Sequence, residues 1–136
     1  MASIFTRIVQ GDIPAAKVYE DDLTLAFLDI NPASRGHCLV ICKEERPGLL
    51  DLSPEQLTAL SLTTQRVAQA IMTALQPDGF NIVQNNGAAA GQTVFHYHVH
   101  IIPRWNGDHA LAAWRPGSTT PAELADLVAQ LTAALA

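Results

Sequence analysis

An alternation of histidine with apolar residues constrains this chain more than any other feature. The stretch HYHVHIIPRW, residues 96–105, contains His96, His98 and His100, three of the five histidines in the chain. Successive side chains of an extended strand point to opposite faces, so these three imidazoles lie on one side of the strand. The apolar residues between them lie on the other side, where they can pack under a helix. We therefore predict a strand with one apolar face and one face of imidazoles.

The remaining pattern predicts three helices and four further strands. Apolar spacing in residues 3–10 indicates a short N-terminal helix. Ser53, Pro54 and Gln56 start the clearest helix, residues 53–75, because serine caps, proline suits the first helical position and glutamine completes a capping box. The same logic predicts a last helix over 120–135. The predicted strands cover residues 17–21, 23–30, 37–43, 80–86 and, with the histidines, 94–105.

The order of these elements indicates the fold class. Short links join the first strands, as in an antiparallel meander, and the helices do not alternate regularly with the strands. We therefore predict an α+β fold. A length of 136 residues favours a single domain, 1–136, with 106–136 as a C-terminal extension and helix.

Composition excludes several classes of partner. The formal net charge of −5 argues against nucleic acid, because binding a phosphate backbone needs a basic surface. No apolar stretch is long enough for a membrane span or a signal peptide, so we expect a cytoplasmic protein without membrane contact. Only 15% of residues are charged, which is consistent with a buried subunit interface. Cys38 and Cys42 would lie about 13 Å apart on one strand, too far for a disulfide, so we expect buried thiols.

The histidine face has three possible explanations. A solvated polar face is the simplest, but threonine, serine or lysine would serve it as well. A metal site is the second, and since neighbouring histidines of a strand lie about 6.7 Å apart, two of them could share a zinc. The third is catalysis at phosphorus, because neutral imidazole is a nucleophile at neutral pH and then leaves readily.

The segment before the histidines favours the third explanation. Residues 85–93 read NNGAAAGQT, a loop of small residues with two glycines, Gly87 and Gly91. Glycines allow backbone amides to approach phosphate oxygens closely and to form an anion-binding concavity. A phosphate-binding loop that leads directly into three imidazoles indicates chemistry on a phosphate ester or amide.

These motifs resemble the histidine triad (HIT) family of nucleotide hydrolases and transferases. The stretch HYHVHII fits the family's pattern, and GDIPAAKVYEDDLTLAFLDINPASRGHCLVICK is similar to the N-terminal half of its Hint-like and bacterial branch. The resemblance implies a HIT-like fold with an antiparallel five-stranded sheet, a long central helix, a short N-terminal helix and a C-terminal helix. It also implies a homodimer whose sheet extends across a two-fold axis.

The resemblance also assigns roles to the histidines. It implies that His98 is the nucleophile that attacks the α-phosphorus and forms a nucleotidyl-imidazole intermediate. His100 would bind the adjacent phosphate, His96 would support the site through hydrogen bonds, and His37 would orient the triad from across the site. No metal or other cofactor is expected.

Six further positions are similar to the family's nucleotide-binding residues. Asp29 and Ile30 would form the ribose and base pocket, and the phosphate and leaving group would contact Asn85, Gly91, Gln92 and Thr93. The expected substrate is a purine nucleotide conjugate, either a nucleoside phosphoramidate or a dinucleoside polyphosphate, with adenine and guanine both open. The alternatives are a nucleotide-binding regulatory module with incidental turnover and a zinc hydrolase that uses His96 and His98 as ligands.

One departure from the family concerns zinc. Many bacterial relatives carry two cysteines near the N-terminus and a further histidine, which with a triad histidine resemble a structural zinc site. Here those three positions are Ser3, Thr6 and Glu45. Serine and threonine do not replace thiolate, so we predict no structural zinc and a first helix held by packing of its apolar residues Ile4, Phe5 and Ile8. For His109 and Trp114, we expect surface or interface positions.

Overall fold

The computed structural model describes residues 1–136 and contains one five-stranded sheet with helices on both faces. The strands run in the order β1-β2-β3-β5-β4, and every neighbouring pair is antiparallel. The predicted α+β class and HIT-like arrangement are confirmed. The strands are β1 Lys17–Glu20, β2 Thr24–Leu28, β3 Cys38–Cys42, β4 Gly79–Val83 and β5 His98–Arg104, and the helices are α1 Ile4–Val9, α2 Pro54–Leu75 and α3 Pro121–Leu135.

Helix α2 covers one face of the sheet and forms the larger core. It begins as predicted, with Ser53 and Gln56 in a reciprocal capping box around Pro54. Leu60 and Val67 of its inner face pack against the apolar side of the central strands. The strand residues in this core are Ala26, Cys38, Val40, Cys42, Val99 and Ile101, joined by Tyr97. Both cysteines are free and buried, as expected.

Helix α1 covers the opposite face, which carries the histidines. Phe5 and Ile8 pack there against Leu25, Phe27, Leu39 and Ile41. In the β3–β5 register Ile41 lies opposite His98, and Leu39 lies opposite His100. The imidazoles therefore lie beside a second apolar core and are not on a solvated surface.

All five strands are shorter than the sequence predicts, and β4 and β5 each lose three or more residues at one end. Strand β5 begins at His98 because its partner β3 ends at Cys42, one residue beyond Ile41, which pairs with His98. Residues 94–96 therefore have no strand beside them, and the Tyr97 amide donates to the carbonyl of Arg46, beyond the end of β3, at 2.6 Å. Strand β4 ends at Val83, opposite His100, and the predicted residues 84–86 belong to the following loop.

The C-terminal part contacts the rest of the chain least. Arg104, at the end of β5, makes a double hydrogen bond to Asp108, which closes the turn after the strand. Beyond it, α3 contains no buried residue. No helix combines the length and apolar character that crossing a membrane requires.

Candidate active site

The histidine face opens into a cavity between α1, the end of β2 and the start of β5. Its volume is about 370 Å³, which lies within the range of small-ligand sites. Apolar side chains of α1, β2 and β3 form most of the wall, and the polar part is formed by Asp29, Asn31, Thr93, His98 and His100. A larger, shallower depression beside α2, lined by Tyr19, Asp21 and Arg66, contains no histidine.

His98 is held so that only one of its nitrogens is available. Its Nδ1 lies 2.7 Å from the backbone carbonyl of His96 and must donate to it, because a carbonyl only accepts. The proton of the neutral ring is therefore on Nδ1, and Nε2 keeps its lone pair. No protein group bonds Nε2, which is not sealed from solvent. The nucleophile assigned by resemblance thus lines the cavity in its nucleophilic tautomer.

His100 and His37 form a hydrogen-bonded pair in which the tautomer of each ring is also determined by its partners. The Ala33 amide donates to His37 Nδ1 at 2.9 Å, so the proton of His37 is on Nε2. This Nε2 lies 2.9 Å from His100 Nδ1, which accepts, and the proton of His100 is therefore on its own Nε2. The cavity thus contains a free lone pair on His98 and an N–H donor on His100, whose ring centroids lie 5.0 Å apart.

Asp29 and Ile30 line the cavity just after β2, and the Asp29 carboxylate lies near the His37–His100 pair. Asp29 Oδ1 accepts from the Asn31 amide at 2.8 Å, so it caps the end of the strand. Its Oδ2 lies 3.6 Å from His37 Nε2 and lines the cavity. Ile30 is 88% exposed and forms an apolar rim that a ligand would cover.

His96 supports the site from behind and does not line the cavity. It is completely buried, and its Nε2 donates to the carbonyl of Cys42. Its Nδ1 accepts from the Ser3 hydroxyl at 2.7 Å. Both nitrogens are therefore occupied, which fits the supporting role implied by the resemblance.

The loop before the histidines presents fewer groups than its composition indicates. The amides of Gly87 and Gly91 bond within the loop, as does the amide of Gln92. The Gln92 side chain is buried and accepts from Gly87 while donating to the carbonyls of Pro47 and Val94, so it braces the loop. The Thr93 amide remains free of protein acceptors, and Thr93 lines the cavity. Gly91, at φ +96°, brings the unbonded Asn85 side chain close to this turn.

Burial keeps all four imidazoles neutral. Removal from water disfavours the cationic ring and lowers the pKa of His37, His96 and His98 below the ordinary 6.5. For His100, burial together with His98 and His37 nearby lowers the pKa to about 4. Phe5 is the clearest source of the dry environment, because its ring packs edge-on against both His96 and His98.

One set of side chains has ligand atoms close enough together for a metal ion. Asp29, His37 and His100 have ligand atoms within 4.8 Å of one another, but hydrogen bonding accounts for the closest approach. A zinc held by His96 and His98 does not fit, because both nitrogens of His96 are bonded to protein groups. The positions of the relatives' structural zinc do not fit either, since Ser3, Thr6 and Glu45 are hydrogen-bonded to each other.

Sequence reasoning missed several features of the site. It treated Ile4 and Phe5 only as packing residues, whereas both line the cavity and Ile4 is 49% exposed. It also missed the hydrogen bonds that Ser3 and Thr6 make, although the capping position of Ser3 before an apolar run was a usable signal. His109 and Trp114 do not reach the cavity within this chain.

The neutral imidazoles predict a loss of stability in mild acid. Their pKa values are lower in the folded chain than in the unfolded chain, so below about pH 6.5 the unfolded chain binds protons that the folded chain does not. The free energy of unfolding should decrease from there down to about pH 4, where His100 titrates. The free energy of unfolding, measured with urea at pH values from 7.5 to 4, gives a slope against pH for each protein. In His100→Gln this slope should be smaller than in the wild type by up to about 1.4 kcal/mol per pH unit. An unchanged slope in that variant would contradict the assignment.

Comparison with known proteins supports the resemblance read from the sequence. The chain is 42% identical over 125 residues to an adenosine 5'-monophosphoramidase of Schizosaccharomyces pombe, covering 91% of each chain. It is 45% identical over 105 residues to an adenylylsulfatase of Arabidopsis thaliana, covering 77% of this chain and 53% of the relative. A crystal structure of a HIT family member from Bacillus subtilis superposes with a TM-score of 0.94 at 38% identity, covering 100% of this chain and 99% of the other. The protein-family model for the HIT domain matches residues 10–107, and the chain therefore belongs to the HIT family.

Proposed function

We propose that this protein hydrolyses purine nucleotide conjugates at the α-phosphate through a nucleotidyl intermediate on His98. The observation that carries the proposal is the free Nε2 of His98, fixed by the bond from Nδ1 to the His96 carbonyl and exposed to the cavity. A neutral imidazole in this tautomer is a nucleophile without further activation. Its lowered pKa keeps it so at neutral pH.

The proposed reaction has two steps. In the first, the Nε2 lone pair forms a bond to the α-phosphorus, while the bond to the leaving group breaks and its electrons leave with that group, which takes a proton from solvent. In the second, water attacks the same phosphorus, loses a proton to solvent and returns the electron pair to Nε2. The His100 Nε2–H would donate to a non-bridging phosphate oxygen in both steps, where negative charge accumulates. The free Thr93 amide is a second candidate donor.

The remainder of the cavity suits a nucleoside. Its wall is mostly apolar, formed by α1, β2 and β3, and can accept a purine without hydrogen bonds that would select one base. Asp29 Oδ2 is an anionic acceptor in the same cavity and would bind ribose hydroxyls. Ile30 would then cover the base from the rim.

The names of two relatives reduce the number of candidate leaving groups. The S. pombe relative is named for a phosphoramidate and the A. thaliana relative for an adenylyl sulfate, so both names describe an adenylyl group joined to a small leaving group. We therefore propose an adenosine phosphoramidate as the first substrate class to test, with adenylyl sulfate and dinucleoside polyphosphates next.

We further propose that two copies join through β4. The sheet has two edges, and β1 has charged residues at both ends, Lys17 and Glu20, and an irregular register, which are features that discourage edge pairing. Strand β4 has no charged residue, and its Phe80 and Ile82 are exposed beside α2. An unprotected apolar edge favours addition of a strand from a second copy.

Helix α3 supports the same proposal. Its exposed residues include an apolar stripe at helical spacing, and the helix buries none of it against its own chain: Leu124, Leu127, Val128, Leu131 and Leu135. Helices of this length are rarely stable in water without tertiary packing. A second copy is the partner that is always present at equal concentration.

The nucleophile assignment predicts the result of His98→Ala. With a fluorogenic adenosine phosphoramidate, kcat should fall at least about 10³-fold, because no other group in the cavity can form the intermediate. His109→Ala, outside the cavity, is the control and should retain wild-type turnover. Labelled substrate quenched in alkali, which preserves the phosphorus–nitrogen bond, should leave label on the wild-type chain only.

Two results would contradict this proposal. Tight AMP binding with no turnover of any conjugate would indicate a nucleotide-binding module. Stoichiometric zinc in the purified protein, with activity lost on chelation, would indicate a metal-dependent hydrolase.

The ribose assignment predicts a sugar-dependent effect of Asp29→Asn. A hydrogen bond to a charged acceptor contributes about 1.5–3 kcal/mol, so KM for the ribonucleotide substrate should rise by about 10-fold or more. The 2′,3′-dideoxy analogue lacks the donors, and its KM should barely change between the two proteins. Equal increases for both substrates would place Asp29 outside ribose recognition and leave only its contact with His37.

The dimer proposal predicts different outcomes for two matched edge substitutions. Ile82 on β4 and Val18 on β1 are 49% and 48% exposed. Ile82→Glu should convert a dimer to a monomer in light scattering, because it places a charge in the joined edge, whereas Val18→Glu should leave the dimer intact. A monomeric wild-type protein, or dissociation only by Val18→Glu, would reject β4 as the interface.

A further inference from the structure

We propose that Ser3 is a positioning residue for catalysis. Its hydroxyl holds the His96 ring, and through that ring it holds the His96 carbonyl that fixes the tautomer of His98. The inference rests on the proposed role of His98 and adds a residue 95 positions away in the sequence.

The first observation is how the His96 ring is held. It is 0% exposed, and each nitrogen has one close partner, the Ser3 hydroxyl on Nδ1 and the Cys42 carbonyl on Nε2. Because the Cys42 carbonyl takes the ring's only proton, Nδ1 must accept, and the Ser3 hydroxyl must donate. The Thr6 hydroxyl lies 3.4 Å from the same nitrogen, but its hydrogen is donated to Glu45, so without the Ser3 hydroxyl the buried acceptor would lose its donor.

The second observation is that few groups hold the backbone at His96: the peptide that follows it is bonded through the Tyr97 amide to the Arg46 carbonyl. The β3–β5 ladder begins at His98, so residue 96 lies outside the sheet. Its carbonyl is nevertheless the only group that bonds Nδ1 of His98. The side chain of His96 and the Tyr97 amide therefore provide, at this peptide, the anchoring that strand pairing provides elsewhere. If the His96 ring moved, the His96 carbonyl would move with it and would no longer hold His98 in a single tautomer.

The third observation is that Ser3 is itself fixed. Its amide and the Thr6 hydroxyl both donate to Glu45 Oε1 at 2.6 Å. The Ser3 hydroxyl accepts from the Thr6 amide as the N-cap of α1. Its hydrogen has two acceptors nearby, and His96 Nδ1 at 2.7 Å is closer than Thr6 Oγ1 at 3.3 Å. Glu45 lies three residues after the end of β3. The segment 42–45 therefore contacts both nitrogens of His96: the Cys42 carbonyl bonds Nε2 directly, and Glu45 acts on Nδ1 through Ser3.

This cluster does not suit a metal ion. Two of its members are neutral hydroxyls, which are poor zinc ligands, and all of them already have hydrogen-bond partners. Its function follows from the hydrogen bonds alone: it connects helix α1, which forms a wall of the cavity, to the residue that orients the nucleophile.

The test measures tautomers directly by nitrogen-15 NMR of the histidine rings. In the wild-type protein His96 should be protonated on Nε2 only and His98 on Nδ1 only. In Ser3→Ala, His98 should become a mixture of the two tautomers. Because only one tautomer has its lone pair in the cavity, kcat should fall by about 10-fold, which corresponds to about 1.4 kcal/mol, with KM little changed. Ser3→Thr, which keeps the hydroxyl, should restore both readouts.

Ser53→Ala is the matched control, because it also removes an N-cap serine but from α2, which packs on the face of the sheet opposite the histidines. It should lower the melting temperature and leave the tautomers and kcat unchanged. A wild-type His96 protonated on Nδ1, or a Ser3→Ala protein with the wild-type His98 tautomer and kcat, would overturn the inference. If Ser3→Ala does not fold, Ser3→Gly carries the same test, because it also removes the hydroxyl and glycine is tolerated at an N-cap. If no conjugate is turned over, the proposed function fails, and the tautomers still test the role of Ser3.

Discussion

The active site depends on one hydrogen bond, from His98 Nδ1 to the carbonyl of His96. An unconstrained imidazole exchanges its proton between two nitrogens, and only one tautomer has its lone pair in the cavity. The carbonyl removes this freedom at a distance of 2.7 Å. Everything else around the histidines either holds that carbonyl, keeps the ring neutral or shapes the space that Nε2 faces. Because of this constraint, the proposed nucleophile needs no separate general base.

The second apolar core makes that arrangement effective. Phe5 of α1 contacts the rings of His96 and His98, and removal from water lowers the pKa of both. The helix is only six residues long and has little intrinsic stability. Its position therefore depends on burial of Phe5 and Ile8 and on the hydrogen bonds at its N-terminus. Sheet, helix and site stabilise one another on this face.

The sequence predicted what local periodicity determines and missed what distant contacts determine. Alternation alone placed His98 and His100 on one face and Val99 on the other, because the two-residue period of a strand needs no tertiary information. Asp29 and His37 were assigned only through the family resemblance. The bond from Ser3 to His96 spans 93 residues, and the Cys42 carbonyl is a backbone group that no residue type reveals. The start of β5 was misplaced because strand length depends on where β3 ends.

The protonation states of the site are mutually compatible over a wide range of pH. His98 must be neutral to act as a nucleophile, and burial lowers its pKa, so acid affects it later than it would affect an ordinary histidine. Glu45 accepts from Ser3 and Thr6 more strongly when it is ionised, and those same hydrogen bonds lower its pKa below the usual value. Both shifts extend the working range toward acid, because the neutral ring and the ionised carboxylate each persist to lower pH. The cluster of Ser3, Thr6 and Glu45 therefore holds His96 through two hydroxyls and one carboxylate. It does not depend on cysteine thiolates, whose metal binding and oxidation vary with the environment.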